Sequence, residues 1–375
     1  MTDALDATRF HALLIGINDY RFAPALRGCR NDVARAQAFL RGTVGVPAAQ
    51  IHTLVGAQVT RQGLLAALRD HLIDNEAIAD GDQVLLHFSG HGTEMRDPLD
   101  QTASGYRECL VTHDSGEGGE WHVPDRTVGA LLHLLAQRTS QITVVFDCCH
   151  SGSGTRQMPP LQARLAEPDP RRPPADLDAA LLAEAARFGP GAFKGRGLPY
   201  TLLAACRDRE LAQEHAEGTG DETVHHGLFS WCLYPAIEAA APGSSYVELM
   251  AQVAARVTAR DRYQHPQCEG RGQRALFGGA DVRRDPFIAV TRAVGDRLTL
   301  DAGSLHGLAR GARVALYRPE VRTRDALPPK PLAVAAVESV SLTTSLATPE
   351  AGAPPVEALT GARGLLLDAG HGPLA

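Results

Sequence analysis

Gln141-Ile-Thr-Val-Val-Phe-Asp147-Cys148-Cys149-His150-Ser151-Gly152 is the stretch whose reading decides the fold. Ile142 to Phe146 is a short, mostly apolar run, rich in β-branched residues and without polar alternation. Such a run reads as a strand buried on both faces, as in a parallel sheet. It stops at an acid, two thiols and an imidazole. Ligands of open α/β sheets gather at the carboxyl ends of strands, so a thiol there is well placed for chemistry. Free cysteine is also among the most buried residue types, and either thiol alone reads equally as packing.

Gln83-Val-Leu-Leu-His-Phe-Ser89-Gly90-His91-Gly92 repeats the plan with a histidine between glycines. Flanking glycines let the backbone turn sharply and approach a ligand closely, which a core histidine rarely needs. One strand end offering His and another offering Cys are what nucleophilic catalysis requires, because the imidazole can generate the reactive thiolate. Elsewhere the alternation of strand and helix continues. His11–Asn18, Ile51–Val55 and Leu198–Cys206 read as strands, and Thr60 as the cap of a helix. Asp125 reads as a second cap, and Asp178–Phe188, Gly227–Leu233 and Tyr246–Val257 as further helices. The pattern predicts a parallel α/β sheet between helix layers.

Phe88-Ser-Gly-His-Gly92 and Asp147-Cys-Cys-His-Ser-Gly152 together resemble the paired signatures of caspase-like cysteine peptidases, in particular the bacterial metacaspase branch. The resemblance covers roughly residues 10–280. It implies an α/β fold with a caspase-like, mostly parallel sheet flanked by helices. It also implies cytoplasmic peptidase chemistry with Cys149 as nucleophile and His91 as base and leaving-group acid. The backbone N–H groups of Gly92 and Cys149 are the expected oxyanion donors. Strand side chains alternate, so Cys148 is expected in the core and His150 away from the cleft. The resemblance further matches Asp32 and Asp147, with Cys29 beside them, to an acidic pocket for Arg or Lys before the scissile bond. Carboxylates in such a pocket favour a guanidinium, which binds them bidentately. Asp32 also reads as a helix N-cap.

The 375 residues divide into an expected peptidase domain over 1–280 and a small β-barrel-like domain over 281–375. Within the first, residues 1–153 and 198–280 resemble the large and small subunits of the family. Between them, 154–197 is a proline- and arginine-rich insertion that looks irregular. Its basic residues Arg156, Arg164, Arg171, Arg172, Arg187, Lys194 and Arg196 are candidate self-cleavage sites, since exposed loops are where chains are nicked. In the last domain, short apolar runs separated by turn residues predict the barrel; a partner is conceivable there, but no aromatic or basic face names one.

A net charge of −6 with no basic run argues against nucleic-acid binding, and no apolar stretch is long enough for membrane insertion. Seven scattered cysteines form no Cys-x-x-Cys pair, so neither a disulfide framework nor a zinc knuckle is indicated. The acidic N-terminus does not read as a signal peptide, and a cytoplasmic location is expected. No metal or other cofactor is expected. Asp97, Asp100, Glu108 and Asp114 offer carboxylates for calcium but fit no loop template, so calcium dependence is expected to be weak or absent. The resemblance implies protein substrates, including a pore-forming protein, in regulated cell death or antiphage defence. The competing expectation is a catalytically silent scaffold that binds a partner.

Overall fold

The computed structural model describes residues 6–97, 102, 104–149, 163–188, 197–241, 243–282, 287–321 and 323–370. It divides into two units, Met1–Val282 and Arg283–Ala375.

The first unit begins with β1 (Phe10–Gly16), β2 (Ile51–Val55) and β3 (Gln83–Ser89). A side sheet follows from β4 (Gly92–Arg96), β5 (Tyr106–Leu110) and β6 (Val123–Pro124). Then come β7 (Gln141–Asp147), β8 (Thr201–Ala204), the hairpin of β9 (Glu214–Glu217) and β10 (Val224–Gly227), and β11 (Gln267–Gly270). The main sheet runs β11-β8-β7-β3-β1-β2. Its neighbours are parallel except for the antiparallel edge strand β11. Every residue of β1, β3 and β7 is buried, which explains their lack of alternation. Register matters more for function. Gly16 pairs with Ser89 and Ser89 with Asp147, so three adjacent strands end level and deliver their following residues to one edge.

Helices α1 (Cys29–Ala38), α2 (Arg61–Leu68), α3 (Asp125–Leu135), α4 (Ala179–Ala185), α5 (Leu228–Glu238) and α6 (Tyr246–Thr258) complete this unit. One core cluster joins Val33, Phe229, Leu233 and Val253 from α1, α5 and α6, and it includes Cys149. The other joins Leu64, Leu68, Val128 and Leu131 from α2 and α3, and it includes Cys148. The two consecutive cysteines therefore enter opposite layers, as strand alternation requires. Thr60 caps α2 by accepting from the Gly63 N–H, and Ser245 with Glu248 forms a capping box on α6. Two cap expectations fail. Asp125 is the first residue of α3, with Pro124 at the cap position. Asp32 lies in the first turn of α1, whose cap position is Gly28.

The proline-rich insertion also departs from its reading as an irregular loop. Among its described residues, 163–188 are placed by specific bonds, and α4 packs on α3 with Asp178 held by Arg61 and Thr127. Proline blocks helix and central strand, but it does not block a lone extended segment whose partners come from elsewhere.

The second unit is a closed barrel of β12 (Ile288–Val294), β13 (Arg297–Leu300), β14 (Arg313–Tyr317), β15 (Ala333–Val340), β16 (Ser345–Pro349) and β17 (Arg363–Asp368). Its strand order is β12-β13-β16-β15-β14-β17 around a core that includes Leu298, Val314, Leu316 and Val337. Closure leaves no free sheet edge.

Candidate active site

His91 and Cys149 follow β3 and β7, the two central strands that pair along their whole length. Both residues are buried. His91 Nε2 lies 2.9 Å from the Pro24 carbonyl oxygen. A carbonyl only accepts, so Nε2 carries the proton and Nδ1 is left as the basic nitrogen. Nδ1 is buried and has no hydrogen-bond partner among the described residues. Burial pushes the imidazole down to about 4, and the backbone groups of Pro24 and Arg164 only partly offset this. The ring is neutral at pH 7, as a base must be. Tyr20 supports it from the side, with ring centroids 4.9 Å apart and its hydroxyl accepting from the His91 N–H. The Cys149 thiol rests on another element: Sγ accepts from the Ala212 N–H at 3.1 Å and lies 3.8 Å from the Ala212 carbonyl oxygen.

Asp32 and Asp147 are brought together around the side chain of Arg164. Arg164 is completely buried. Its Nη2 donates to Asp32 Oδ2 at 2.7 Å and lies 3.5 Å from Glu214 Oε1. Its Nη1 donates to Ser89 Oγ at 2.7 Å and to the Asp147 carbonyl oxygen at 3.0 Å, and sits 3.1 Å from Asp147 Oδ1. That last pair has ionic contact without hydrogen-bond alignment, since Oδ1 has no hydrogen-bond partner. Asp32 also accepts from Ser89 Oγ, the Gly227 N–H and His226 Nδ1. Asp147 accepts from the Ser230 N–H.

Three carboxylates around one guanidinium leave the pocket net negative. Burial works against both aspartates, but the outcomes differ. The Arg164 charge and the bonds from His226 and Ser89 bring Asp32 below the usual carboxylate range. For Asp147, burial outweighs Arg164, and the nearby Asp32 charge pushes the same way, so its carboxyl is raised. Cys29 lines the same space, and burial pushes its thiol up to about 12, so it serves as neutral wall. Gly227 is required here: a Cβ on it would lie 2.2 Å from Asp147 Oδ2 and 2.5 Å from Arg164 Nη1.

The backbone of Arg164 is as informative as its side chain. Its carbonyl oxygen accepts from the Gly92 N–H at 3.1 Å and the Cys149 N–H at 3.2 Å, the two groups expected to hold an oxyanion. Its own N–H donates to the Ala212 carbonyl at 2.8 Å, and Ala163 bridges Gln213 in antiparallel fashion. Beyond it, Leu165 bridges Gly92 in parallel, and the Ala166 N–H donates to the Gly92 carbonyl at 2.9 Å. A Cβ on Gly92 would lie 1.7 Å from the Cys149 carbonyl oxygen, so only glycine lets these backbones meet. An extended segment thus crosses the site, with the Arg164–Leu165 peptide between the Cys149 and His91 elements.

Of the other basic residues named from the sequence, Arg172 and Arg187 are exposed, and Arg171 is bonded to Asp169. Arg156, Lys194 and Arg196 lie outside the described residues, as do His150 and Asp100. The remaining acids considered for calcium are engaged elsewhere: Asp97 pairs with Arg107 at 3.1 Å, and Asp114 accepts from the Arg61 N–H and Thr112. Among the described residues, no group of three or more His, Cys, Asp or Glu is arranged to hold a metal ion. Sequence reasoning missed Ser89 and Glu214. Ser89 stood inside the quoted motif, whereas Glu214 gave no signal because its role depends on where β9 lands.

The family model of the caspase domain matches residues 9–277. The chain belongs to the caspase family, on its metacaspase branch. It is 32% identical over 148 residues to Metacaspase-1A of Aspergillus oryzae, spanning 38% of this chain and 34% of that protein. It is 34% identical over 147 residues to Metacaspase-2 of Trypanosoma brucei brucei, spanning 38% of this chain and 41% of that one. The chain therefore matches well under half the length of these relatives. Among solved structures, caspase-1 from Spodoptera frugiperda superposes with a TM-score of 0.43 at 10% identity, covering 74% of this chain and 92% of that one. No helix among the described residues is long and apolar enough to cross a membrane.

Proposed function

We propose that this chain is a cysteine endopeptidase that cuts after arginine, and less readily after lysine, and that its first substrate is its own Arg164–Leu165 bond. The observation that carries the reading is the double placement of Arg164, side chain among Asp32, Asp147 and Glu214, carbonyl oxygen between the Gly92 and Cys149 N–H groups. A buried pocket with three acids and no cation would hold uncompensated charge, so it selects a cationic side chain. Acceptor oxygens set to receive two separate nitrogens favour a planar guanidinium over the point charge of lysine.

In this mechanism His91 Nδ1 takes the Cys149 thiol proton, and the thiolate attacks the Arg164 carbonyl carbon. The oxygen becomes an oxyanion held by two N–H groups, a contribution worth ~3 kcal/mol of barrier. His91 then gives its proton to the Leu165 nitrogen, the C–N bond breaks, and a thioester to Cys149 remains. Water, deprotonated by His91, releases the Arg164 carboxylate. Attack requires the thiol to leave its bonds to Ala212, so the intact chain is latent. A cleft of about 710 Å³ beside the site, lined in part by Leu211, Gln213, His215 and Tyr263, offers room for substrate residues that precede the cut.

The test is expression of the wild-type chain and C149A, mass spectrometry of both, and assay of peptide amides ending in Arg, Lys or Asp, with calcium or chelator. The expected result is a cut after Arg164 in the wild type only, with hydrolysis of Arg and then Lys peptides. Hydrolysis of the Asp peptide alone would refute the pocket. An uncut wild type with full peptide activity would remove Arg164–Leu165 as first substrate.

A further inference from the structure

The segment downstream of Arg164 is held as deliberately as Arg164 itself. After Leu165 and Ala166, Thr93 Oγ1 donates to the carbonyls of Ala166 and Glu167 at 3.0 and 2.8 Å. The Asp169 N–H donates to the Glu94 carbonyl at 2.9 Å. These bonds run along β4, whose first residue, Gly92, also supplies one of the two N–H groups on the Arg164 carbonyl. On the segment's side all of them use main-chain groups, indifferent to its sequence. Selectivity must come from side chains, and here the burial is uneven: Leu165, Ala166 and Asp169 are buried, while Glu167, Pro168 and Pro170 are exposed.

The strongest side-chain hold lies seven residues past the bond. The Arg171 guanidinium carbon sits 4.4 Å from the centroid of the Trp121 ring. Its Nη1 donates to the Gly119 carbonyl at 3.0 Å and its Nη2 to the Glu120 carbonyl at 3.3 Å. Its remaining partner is Asp169, reached at 2.6 Å from Nη2 and 2.9 Å from Nε. The segment thus brings its own counter-ion, and the receiving surface contributes a π face, two carbonyl oxygens and the weaker pull of the Glu117 and Glu120 charges. Rings and carbonyls recognise a cation without a fixed charge, and a guanidinium both stacks and donates.

We propose that Trp121 with the carbonyls of Gly119 and Glu120 forms a second guanidinium site on the primed side of the cleft. It selects protein substrates with an arginine seven residues after the cut, reached along β4. The inference rests on the reading that the bond after Arg164 is the one cleaved. In the intact chain Arg171 fills this site; in the processed enzyme a substrate competes for it.

The experiment uses the full chain after self-processing. Three substrates are compared: a quenched peptide matching Ala163–Arg171, the same peptide with alanine at the last position, and an unprimed Ala-Arg amide. The arginine peptide is expected to exceed the alanine peptide about tenfold in kcat/KM, the scale of one cation–π contact with its hydrogen bonds. In W121A the arginine-to-alanine ratio falls to about one, and in W121F, which keeps a ring, it is partly retained. R171A, which removes the resident competitor, raises kcat/KM for the arginine peptide. Equal rates for the two long peptides in the wild type, or a ratio unchanged in W121A, would overturn the second site alone. Failure to hydrolyse even the unprimed amide would overturn the peptidase reading and this one with it.

Discussion

Two arginines seven residues apart in one segment are held by opposite means. Arg164 has no exposed surface and is ringed by carboxylates from α1, β7 and β9. Arg171 is a quarter exposed and rests on a ring, two carbonyls and its own Asp169. A guanidinium removed from water needs every lost hydrogen bond replaced, and around Arg164 the replacement is largely full charge. One that keeps part of its hydration can be held by dipoles and a π face. The first arrangement demands a cation and punishes its absence; the second rewards one and tolerates its loss. On the proposed function, that difference would separate a pocket that defines what is cut from a surface that adjusts how well.

The contrast breaks most sharply at Asp147. Asp147→Asn removes one charge from a buried ion cluster, where losing a partner costs about 3–5 kcal/mol. Hydrolysis of an Arg amide should therefore fall by about two orders of magnitude or more in kcat/KM. A fall under threefold would mean that the pocket does not read charge. Gly227→Ala attacks the same pocket by volume, since the new Cβ would crowd Asp147 and the bound guanidinium. About a tenfold loss is expected, as an overpacked site costs about 1–3 kcal/mol. Melting the variant with a C149A background separates lost recognition from lost fold.

Protons probe both holds at once. Burial pushes His91 near the first arginine, His122 near the second, and His87 in the core down to about 4 each. The unfolded chain takes up these protons near pH 6.5, while the folded chain refuses them until about 4. Stability therefore rises with pH across this window and is lost as pH falls from about 6.5 toward 4. Each histidine contributes at most on the order of 1 kcal/mol per pH unit. Denaturant melts of C149A at pH 7.5, 6 and 5 should show the midpoint dropping steadily. A flat profile would mean that these rings are protonated inside the fold.

The strands that lead to His91 and Cys149 are legible in the sequence because their information is local. A mostly apolar run ending in Asp147-Cys148-Cys149, and another ending in Gly90-His91-Gly92, each join a signal for burial to residues of catalytic type within a dozen positions. Asp32 was legible as a pocket acid through the family motif, although its place inside α1 was misread because Gly28 is a silent cap. Arg164 was named, but only as one of seven basic residues in what looked like a loose loop. Nothing adjacent to it distinguishes it from Arg172, which is exposed. Its role comes from Ala212, Gly92 and three acids distant in sequence, and long-range pairing of an isolated strand leaves no periodicity to read. Glu214 and Trp121 were invisible for the same reason. The barrel was legible as a fold and silent as a function.

The gentlest probe is salt. At 1 M the screening length is about 3 Å, and it acts on charges that touch water. In the Arg171–Asp169 pair the guanidinium is a quarter exposed while the carboxylate is buried, so salt reaches the pair from the arginine side and weakens it. Arg164 is sealed from the solvent and is not screened in this way. In C149A, which cannot cut itself, hydrogen exchange can follow the Arg164 and Asp169 amides in one molecule. Raising salt from about 0.05 to 1 M should speed exchange at Asp169 by a fewfold and leave Arg164 unchanged. Equal acceleration at both would show that the two arginines open as one unit, so that release of the outer hold also empties the pocket. Equal protection at both would make the outer hold as deep as the inner one, and the distinction drawn from their partners would fail.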